Sequence, residues 1–244
     1  MARRLLEVAA NSLASALAAQ AGGADRVELC SGLELGGLTP SMAQIAQVRE
    51  RLSIPLYVLI RPRAGDFLYN DDELDVMQHD IETCLSLGCD GVVFGVLDAD
   101  ARVDVARCKP LFSAAGGMGV TFHRAFDMAR DLPRALEDVV ALGAERLLTS
   151  GGAITAIAGA ETIRQLIDQA AGRIVVMPGA GVRAANIAGL AQATGAAELH
   201  ASAKVVLPSG MHWSNPVLTD MAAGEVRSDV DEVHALVAAL HSQA

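Results

Sequence analysis

Side chains that can carry out acid–base chemistry recur within or directly after short apolar segments of the chain. Glu7, Glu28, His123, His200 and Arg61 all occupy such positions. Carboxylates and imidazoles are the usual general acids and bases of enzymes, and an arginine can stabilise an anionic intermediate. If the fold brings these residues together, the sequence predicts a catalytic pocket in which Glu28 and His123 are candidate bases and Arg61 stabilises an anion.

These segments belong to a repeat, which begins at Gly23, Gly88, Gly143 and Gly195. The copies are spaced about 50 to 65 residues apart, which is roughly the length of a βαβα module. Four modules predict eight strands alternating with eight helices. A chain of 244 residues is also close to the roughly 250 residues typical of the fold that closes eight such units. The predicted fold class is therefore α/β, a (β/α)8 TIM barrel.

The domain organisation follows from the same reading. No linker or composition break divides the chain, so we expect one barrel domain over residues 1–244, with an irregular segment 204–228 before the last helix. A doubly wound open sheet is the other α/β arrangement considered. It normally carries a GxGxxG motif after its first strand, and the motif is missing there.

Alternation along the strands predicts which side chains point into the barrel. Val27 and Leu29 face the helices, which turns Glu28 and Cys30 inward. The same parity places Glu7, Arg61, His123 and His200 in the interior, near the face where barrel enzymes have their active sites. Buried charges must pair with or neutralise one another. An ion-pair network that only stabilises the barrel is the alternative to a catalytic pocket.

Glycine-rich loops follow the sixth and seventh strands, and many barrels bind phosphate with the loops after strands seven and eight. The sequence therefore predicts a subsite for phosphate or another small anion. Its candidate residues are Arg63, Ser150, Gly151, Gly179, Gly181 and Ser202.

The four cysteines show no CxxC motif and no pairing with histidines that would indicate zinc. Strand parity places only Cys30 in the barrel interior, where it is the candidate metal ligand. Cu(I) prefers soft donors such as thiolates, and its sites usually collect two or more of them. Spacing alone therefore does not predict a copper site.

Composition limits the partners and the compartment. The net charge of −10 and the pI near 5.0 argue against nucleic acid and anionic membranes, which both need a basic face. No apolar stretch approaches the roughly 20 residues that span a bilayer. Glu7 interrupts the N-terminal apolar run, unlike the uncharged core of a signal peptide. Reduced cysteines fit the cytoplasm, which is the predicted location.

Several motifs resemble the CutC family of copper homeostasis proteins. They are Gly23–Cys30, Gly36–Ser41, Ile60–Phe67, Val120–Asp127, Arg146–Gly151, Gly179–Val182 and Glu198–Ser202. The resemblance implies a (β/α)8 barrel, a cytoplasmic homodimer or homotetramer, and copper handling by Cu(I) binding. Cys30 matches a cysteine proposed as a copper ligand in the family, whereas Ala9 stands where the family often has a second cysteine.

The polar motif residues also match the family, and together they suit an anion or acid–base pocket better than a soft-metal site. They are Glu7, Glu28, Arg61, Arg63, Asp66, His123, Arg124, Asp127, Ser150, His200 and Ser202. Two functions therefore stay open. The first is a copper homeostasis protein that binds Cu(I) through Cys30, with help from Met177 or a partner subunit. The second is a barrel enzyme that acts on a small anionic metabolite, with phosphorylated ones included.

Overall fold

The computed structural model describes residues 3–218 and 224–242. Eight parallel strands form one sheet. They are β1 (Leu5–Ala10), β2 (Arg26–Leu29), β3 (Leu56–Leu59), β4 (Gly91–Phe94), β5 (Gly119–Phe122), β6 (Arg146–Thr149), β7 (Val175–Pro178) and β8 (Glu198–Ala201). Hydrogen-bonded pairing runs in sequence order from β7 back to β1 and then joins β1 to β8. Because β7 also lies next to β8, the sheet curls into a nearly closed barrel, which confirms the predicted fold class.

In the described ranges, eight α-helices cover the outside of the barrel. They are α1 (Leu13–Ala21), α2 (Met42–Arg51), α3 (Asp71–Ser86), α4 (Val105–Ala114), α5 (Leu132–Leu142), α6 (Ala160–Ala170), α7 (Ala184–Thr194) and α8 (Val230–His241). Side-chain oxygens of Ser12, Asn70 and Asp131 accept N–H groups at helix starts, which satisfies donors that the helix leaves free. The local sequence therefore determines where these three helices begin.

The main hydrophobic core lies between the outer face of the sheet and the helices. Val27, Leu29, Val92 and Phe94 are all fully buried in it. These positions were predicted to face the helices from strand alternation, and the structure confirms that parity. Their neighbours along the strands therefore point into the barrel, where they form the floor and walls of the site.

The segment 204–228, predicted to be irregular, contains two short strands at its ends. β9 (Lys204–Leu207) and β10 (Glu225–Ser228) pair antiparallel. Ser228 connects this pair to the barrel, because its Oγ donates to the carbonyl oxygens of Ala9 and Ser202 at 3.1 and 2.9 Å. The two strands are far apart in sequence and are not joined by a two-residue hairpin turn. The sequence therefore contains no local motif that predicts their pairing.

Within the residues that the structure describes, no helix combines the length and the apolar character needed to cross a membrane.

Candidate active site at the barrel mouth

A cavity of about 570 Å³ opens at the C-terminal ends of the strands, which we call the mouth of the barrel. Its lining includes Glu28, Cys30, Arg61, His123, His200 and Ser202. Four of the strands and their following loops contribute these residues. The structure therefore brings four of the five predicted catalytic candidates to one cavity, and the fifth, Glu7, lies directly beneath them.

Glu7 and His200 face each other on neighbouring strands. They are register partners on β1 and β8, and His200 Nδ1 lies 2.7 Å from Glu7 Oε1. Arg26 forms an ion pair with the other oxygen of Glu7. Burial opposes ionisation of Glu7, but Arg26 and His200 outweigh it and lower its pKa to about 2. Glu7 is therefore a permanent carboxylate that orients the imidazole.

The surroundings of His200 favour its protonated, positively charged form. Burial opposes its protonation, but the charge of Glu28 and the hydrogen bond and charge of Glu7 raise its pKa above the usual value. Its ring is held from one side by Glu7, and its other edge lies close to Gly179. A cation in this position can balance a negative charge that forms in the cavity.

Glu28 is a buried carboxyl group that borders the cavity. The residue is 6% exposed, and its Oε2 has no partner among the described residues. Burial is the main cause that raises the pKa of Glu28 to about 7, and the charge of Glu7 adds to it, although His200 and Arg26 act in the opposite direction. A carboxyl group with a pKa near neutrality can both accept and return a proton at physiological pH.

His123 differs from the base that the sequence predicted. Its Nδ1 accepts the N–H of Ala125 at 3.3 Å, so the neutral ring carries its proton on Nε2. Burial, followed by the charge of Arg61, lowers the pKa of His123 to about 3. Nε2 has no partner in the described part of the chain. The structure thus presents His123 as a neutral hydrogen-bond donor, because the proton-accepting nitrogen is already used.

Arg61 was predicted to stabilise an anion, but its guanidinium holds loops together. Its Nη atoms donate to the carbonyl oxygens of Leu35, Gly37 and Gly65 at 2.8–2.9 Å. The guanidinium also lies over the ring of Phe67, 5.1 Å from its centroid. Its positive charge still reaches the cavity wall, although three of its four terminal N–H groups donate to the backbone. Its Nε has no partner among the described residues.

Arg63 lies away from the cavity. It forms ion pairs with Glu73 and Asp66 and donates to backbone carbonyls of its own loop. The strand parity that placed it inward fails because β3 ends at Leu59. Beyond that point the chain is a loop, and a two-residue period no longer determines where a side chain points.

The predicted anion site after β6 is filled by a carboxylate of the chain itself. Asp127 accepts hydrogen bonds from the backbone N–H groups of Ser150 and Gly152 at 3.0 and 3.1 Å, and from the Ser150 hydroxyl at 2.9 Å. The backbone N–H of Gly151 donates to Thr149 Oγ1 at 2.8 Å. Ser150 was predicted to bind an anion, and the carboxylate of Asp127 occupies that role. Gly151, the other predicted residue, has its N–H bonded to Thr149 instead.

The residues that follow β7 and β8 have different roles at the cavity. Gly181 and Ser202 line the cavity, and their role in binding an anion stays a prediction. Gly179 is a packing residue, because a Cβ atom there would come within 2.5 Å of Leu148 Cδ1 and 3.3 Å of His200 Cβ. Two exposed cations at the cavity rim, Arg183 and Lys204, were not predicted as site residues. Arg183 follows β7 and Lys204 follows β8. Their positions directly after predicted strands were the signal that could have identified them as site residues.

Beneath the site lies an ion-pair network that the sequence reasoning missed. Glu198 Oε2 accepts from both Arg26 and Arg146 at 2.7 Å, and Arg146 also donates to the Tyr57 hydroxyl at 3.0 Å. These residues have the same strand parity as Glu28, His200 and Leu148, so alternation alone could have placed them inside. Their positions at strand starts made them look like surface residues.

The donors available for copper do not match a Cu(I) site. Cys30 is 1% exposed and packs with Tyr57, Leu59 and Val93. Burial, together with Glu28 and Glu34, raises the pKa of its thiol and disfavours the thiolate that binds metal. Met177, the expected helper, has its sulfur 3.4 Å from Arg26 Nη2 and accepts a hydrogen bond. A single protonated thiol is a poor Cu(I) ligand set.

One group of residues in the described ranges has the geometry to hold a metal ion. Glu7, Glu28 and His200 each offer a donor atom, and these atoms lie within 4.8 Å of one another. Carboxylate oxygens and an imidazole suit divalent ions, Cu(II) among them, better than Cu(I).

The fold and this mouth define a (β/α)8 barrel with a buried carboxylate–histidine cluster beneath an open cavity. Residues 4–205 match the model of the CutC family, and the chain belongs to that family.

Two relatives and one solved structure show how close the similarity is. The chain is 58% identical to a CutC family protein of Xylella fastidiosa (strain Temecula1) over 95% of this chain and 87% of the relative. It is 48% identical to the human copper homeostasis protein cutC homolog over 86% of this chain and 77% of the relative. A crystal structure of CutC from Streptococcus agalactiae has a TM-score of 0.78 and 35% identity, and the match covers 81% of this chain and 97% of that one.

Proposed function

We propose that the mouth of the barrel is an active site in which Glu28 transfers a proton to and from a small anionic metabolite. The observation that supports this most strongly is a buried carboxyl group that borders an open cavity and whose Oε2 has no hydrogen-bond partner among the described residues. Buried polar groups are normally paired. An unpaired one whose pKa lies near 7 is typical of a general base.

The surroundings of Glu28 support the charge balance that proton transfer needs. Glu7, Glu198, Arg26 and Arg146 form ion pairs with one another, so the charge of Glu28 is left to be balanced by His200. Proton uptake by Glu28 removes a buried charge, and the network beneath it keeps its geometry. The donors and acceptors are thus arranged in advance, as catalysis requires.

The rim of the cavity supports the choice of an anionic substrate. Arg183 and Lys204 line it and are exposed, and neither forms an ion pair within the described ranges. The protein as a whole carries a net charge of −10. A local pair of free cations on an acidic protein draws small anions towards the cavity.

Hydrogen–deuterium exchange tests this proposal without knowledge of the substrate. A mixture of small aldehydes, ketones and 2-oxo acids, with phosphorylated ones included, is incubated with the protein in D2O and followed by proton NMR. We expect exchange at a carbon next to a carbonyl group, reduced at least about 100-fold in Glu28→Gln, since general-base catalysis contributes that much or more.

Glu232→Gln is the matched control, because Glu232 also lines the cavity but is exposed. It should exchange at the native rate. Equal rates in native protein and Glu28→Gln would contradict the proposal.

Copper handling in the cytoplasm is the second candidate function. It is favoured by the name of the human relative and by the position of the Cys30 thiol and the Glu7–Glu28–His200 cluster beside one cavity. Copper would be the cargo rather than a resident cofactor. The two donor sets make opposite demands on the oxidation state, since the thiol prefers Cu(I) and the cluster prefers Cu(II).

Metal titration separates these donor sets. Cu(I) is titrated without oxygen against a competing chelator, and Cu(II) is titrated separately, with native protein, Cys30→Ser and Glu28→Gln. Loss of Cu(I) affinity in Cys30→Ser alone would support the thiol, and loss of Cu(II) affinity in Glu28→Gln alone would support the cluster. Unchanged affinity in both variants would exclude copper binding at the mouth.

We also propose that the chain assembles as a homodimer or homotetramer, as its family resemblance implies. Val206, Met211, Trp213 and Val217 expose between 71 and 80% of their surface. Four large apolar side chains exposed within twelve residues of the chain support a contact with another subunit. Sedimentation of the native protein and of Trp213→Ser tests the proposal. A native protein that sediments as a monomer would contradict it.

A further inference from the structure

We infer that His123 donates a hydrogen bond from Nε2 to an oxygen of the substrate, so that the substrate is a carbonyl compound whose oxygen lies against this imidazole. The chemistry assigned to that substrate rests on the proposed proton transfer at Glu28. The hydrogen bond itself does not, because it follows from the environment of His123 alone.

The tautomer of the ring is set by the backbone. His123 stands at the start of a short 3-10 helix, Arg124–Met128, and its Nδ1 accepts the N–H of Ala125 in that turn. A nitrogen that accepts a hydrogen bond carries no proton, so the neutral ring is protonated at Nε2. The local fold thus fixes which edge of the imidazole donates.

That donor is buried and has no protein partner. His123 is 5% exposed, and Nε2 makes no hydrogen bond within the described residues. His123 also lines the cavity at the mouth. Buried N–H groups in folded proteins almost always have an acceptor. The acceptor here is therefore expected from outside the chain, and the cavity is where a ligand oxygen can supply it.

The neighbours of the ring favour an acceptor oxygen on which negative charge develops. Phe67 contacts the imidazole edge-on at 4.9 Å between centroids, and Arg61 lies over the same phenyl ring. The charged groups that act on His123 are Arg61 and Arg124, opposed by Asp127. Asp127 is already paired with Arg124 and with the loop after β6, which leaves the charge of Arg61 to attract the ligand.

A hydrogen-bond donor and a base on one cavity define a class of reaction. The substrate carbonyl oxygen accepts from His123 Nε2, and Glu28 removes a proton from the carbon next to the carbonyl. The C–H electron pair forms a carbon–carbon double bond, and the carbonyl π pair moves to the oxygen. Glu28 then returns the proton to the same carbon: the oxygen lone pair re-forms the carbonyl bond, and the electron pair of the carbon–carbon double bond forms the new C–H bond. Atoms and electrons balance without a further reactant, and His123 stays neutral throughout.

Long-range proton–nitrogen NMR of the imidazoles tests the contact, with pyruvate as the probe. We use Glu28→Gln protein, so that binding is measured where proton transfer is blocked. We expect His123 to be neutral and protonated at Nε2 at pH 7, and its Nε2 signal to shift when pyruvate is added. His79 is exposed on α3 and serves as the internal control whose signal stays in place.

A pair of substitutions gives the second readout. His123→Phe removes the donor and should weaken pyruvate binding by about two- to tenfold, the range expected for a hydrogen bond between two neutral groups. His123→Gln retains a donor and should restore part of the affinity.

A ring protonated at Nδ1, an unmoved His123 signal in the presence of bound pyruvate, or no pyruvate binding would overturn the inference. Pyruvate binding with the His123 shift, combined with no deuterium exchange in native protein, would leave this contact standing and reject the role of Glu28.

Discussion

Glu7 and His200 share a 2.7 Å hydrogen bond across the junction of β1 and β8, and that bond organises the charges at the mouth. Glu7 stays ionised because Arg26 and His200 stabilise it. His200 is in turn held next to the cavity, where it offsets the charge of Glu28. The proton affinity of Glu28 is therefore set by residues on three neighbouring strands.

Replacing Glu7 tests this arrangement. Glu7→Gln leaves Arg26 and His200 without their shared carboxylate, and we expect a loss of about 3–5 kcal/mol in the free energy of unfolding. The pKa of His200 should fall in the same variant. Chemical denaturation and NMR titration measure the two effects. Glu137→Gln, which breaks the exposed pair with Arg173, should change stability little, and an equal loss in both variants would contradict the prediction.

The raised pKa of Glu28 predicts how stability depends on pH. Between pH 4.5 and about 7 the folded carboxyl group stays protonated while the unfolded one ionises. The folded state binds more protons in this window, so its stability falls as pH rises, by up to about 3 kcal/mol. Glu28→Gln should lack this decline, as seen in denaturation curves at pH 5 and pH 8. Parallel pH dependences for native protein and variant would contradict it.

Asp127 should be essential for the loop after β6. In Asp127→Ala the backbone donors of Ser150 and Gly152 lose their acceptor, and we expect the free energy of unfolding to drop by about 3 kcal/mol. Hydrogen exchange at those two amides should accelerate. Asp138→Ala, which removes a partner of the exposed Arg134, is the control. Unchanged exchange at Ser150 would show that the loop holds itself.

Two glycine substitutions should have opposite effects. Gly179→Ala pushes against Leu148 and His200 and should cost about 1–3 kcal/mol through overpacking. Gly189→Ala on α7 meets no atom within 4 Å and should stabilise by about 0.5–1 kcal/mol, because alanine favours helix. Thermal unfolding compares them. A stable Gly179→Ala protein with unshifted His200 signals would mean that β7 can move aside.

The fold was predictable because strand and helix signals are local and repeated. Parity along the strands then placed Glu7, Glu28 and His200 correctly, since a strand that packs on helices leaves only one face for polar groups. The same rule could have revealed Arg26, Arg146 and Glu198, whose position at strand starts concealed them.

Strand alternation no longer predicted the direction of side chains beyond the ends of the strands. Arg63 lies in a loop, and the hydrogen bonds that Asp127 accepts depend on two loops that come together only in three dimensions. The identity of the proton-bearing nitrogen in His123 was likewise out of reach, because a backbone N–H two residues later decides it. Residue type predicted His123 as a site residue. Only the turn at Arg124–Met128 shows that its free nitrogen is a hydrogen-bond donor.

The hydrogen bond between Glu7 and His200 has a consequence for how the protein is made. The two residues are separated by 193 positions in the chain, so the first strand cannot complete its pairing until β8 has left the ribosome. Contacts of such long range slow folding, since loop closure must precede any energetic return. The charge pattern of the mouth therefore forms only when the first and the last strand of the barrel have paired.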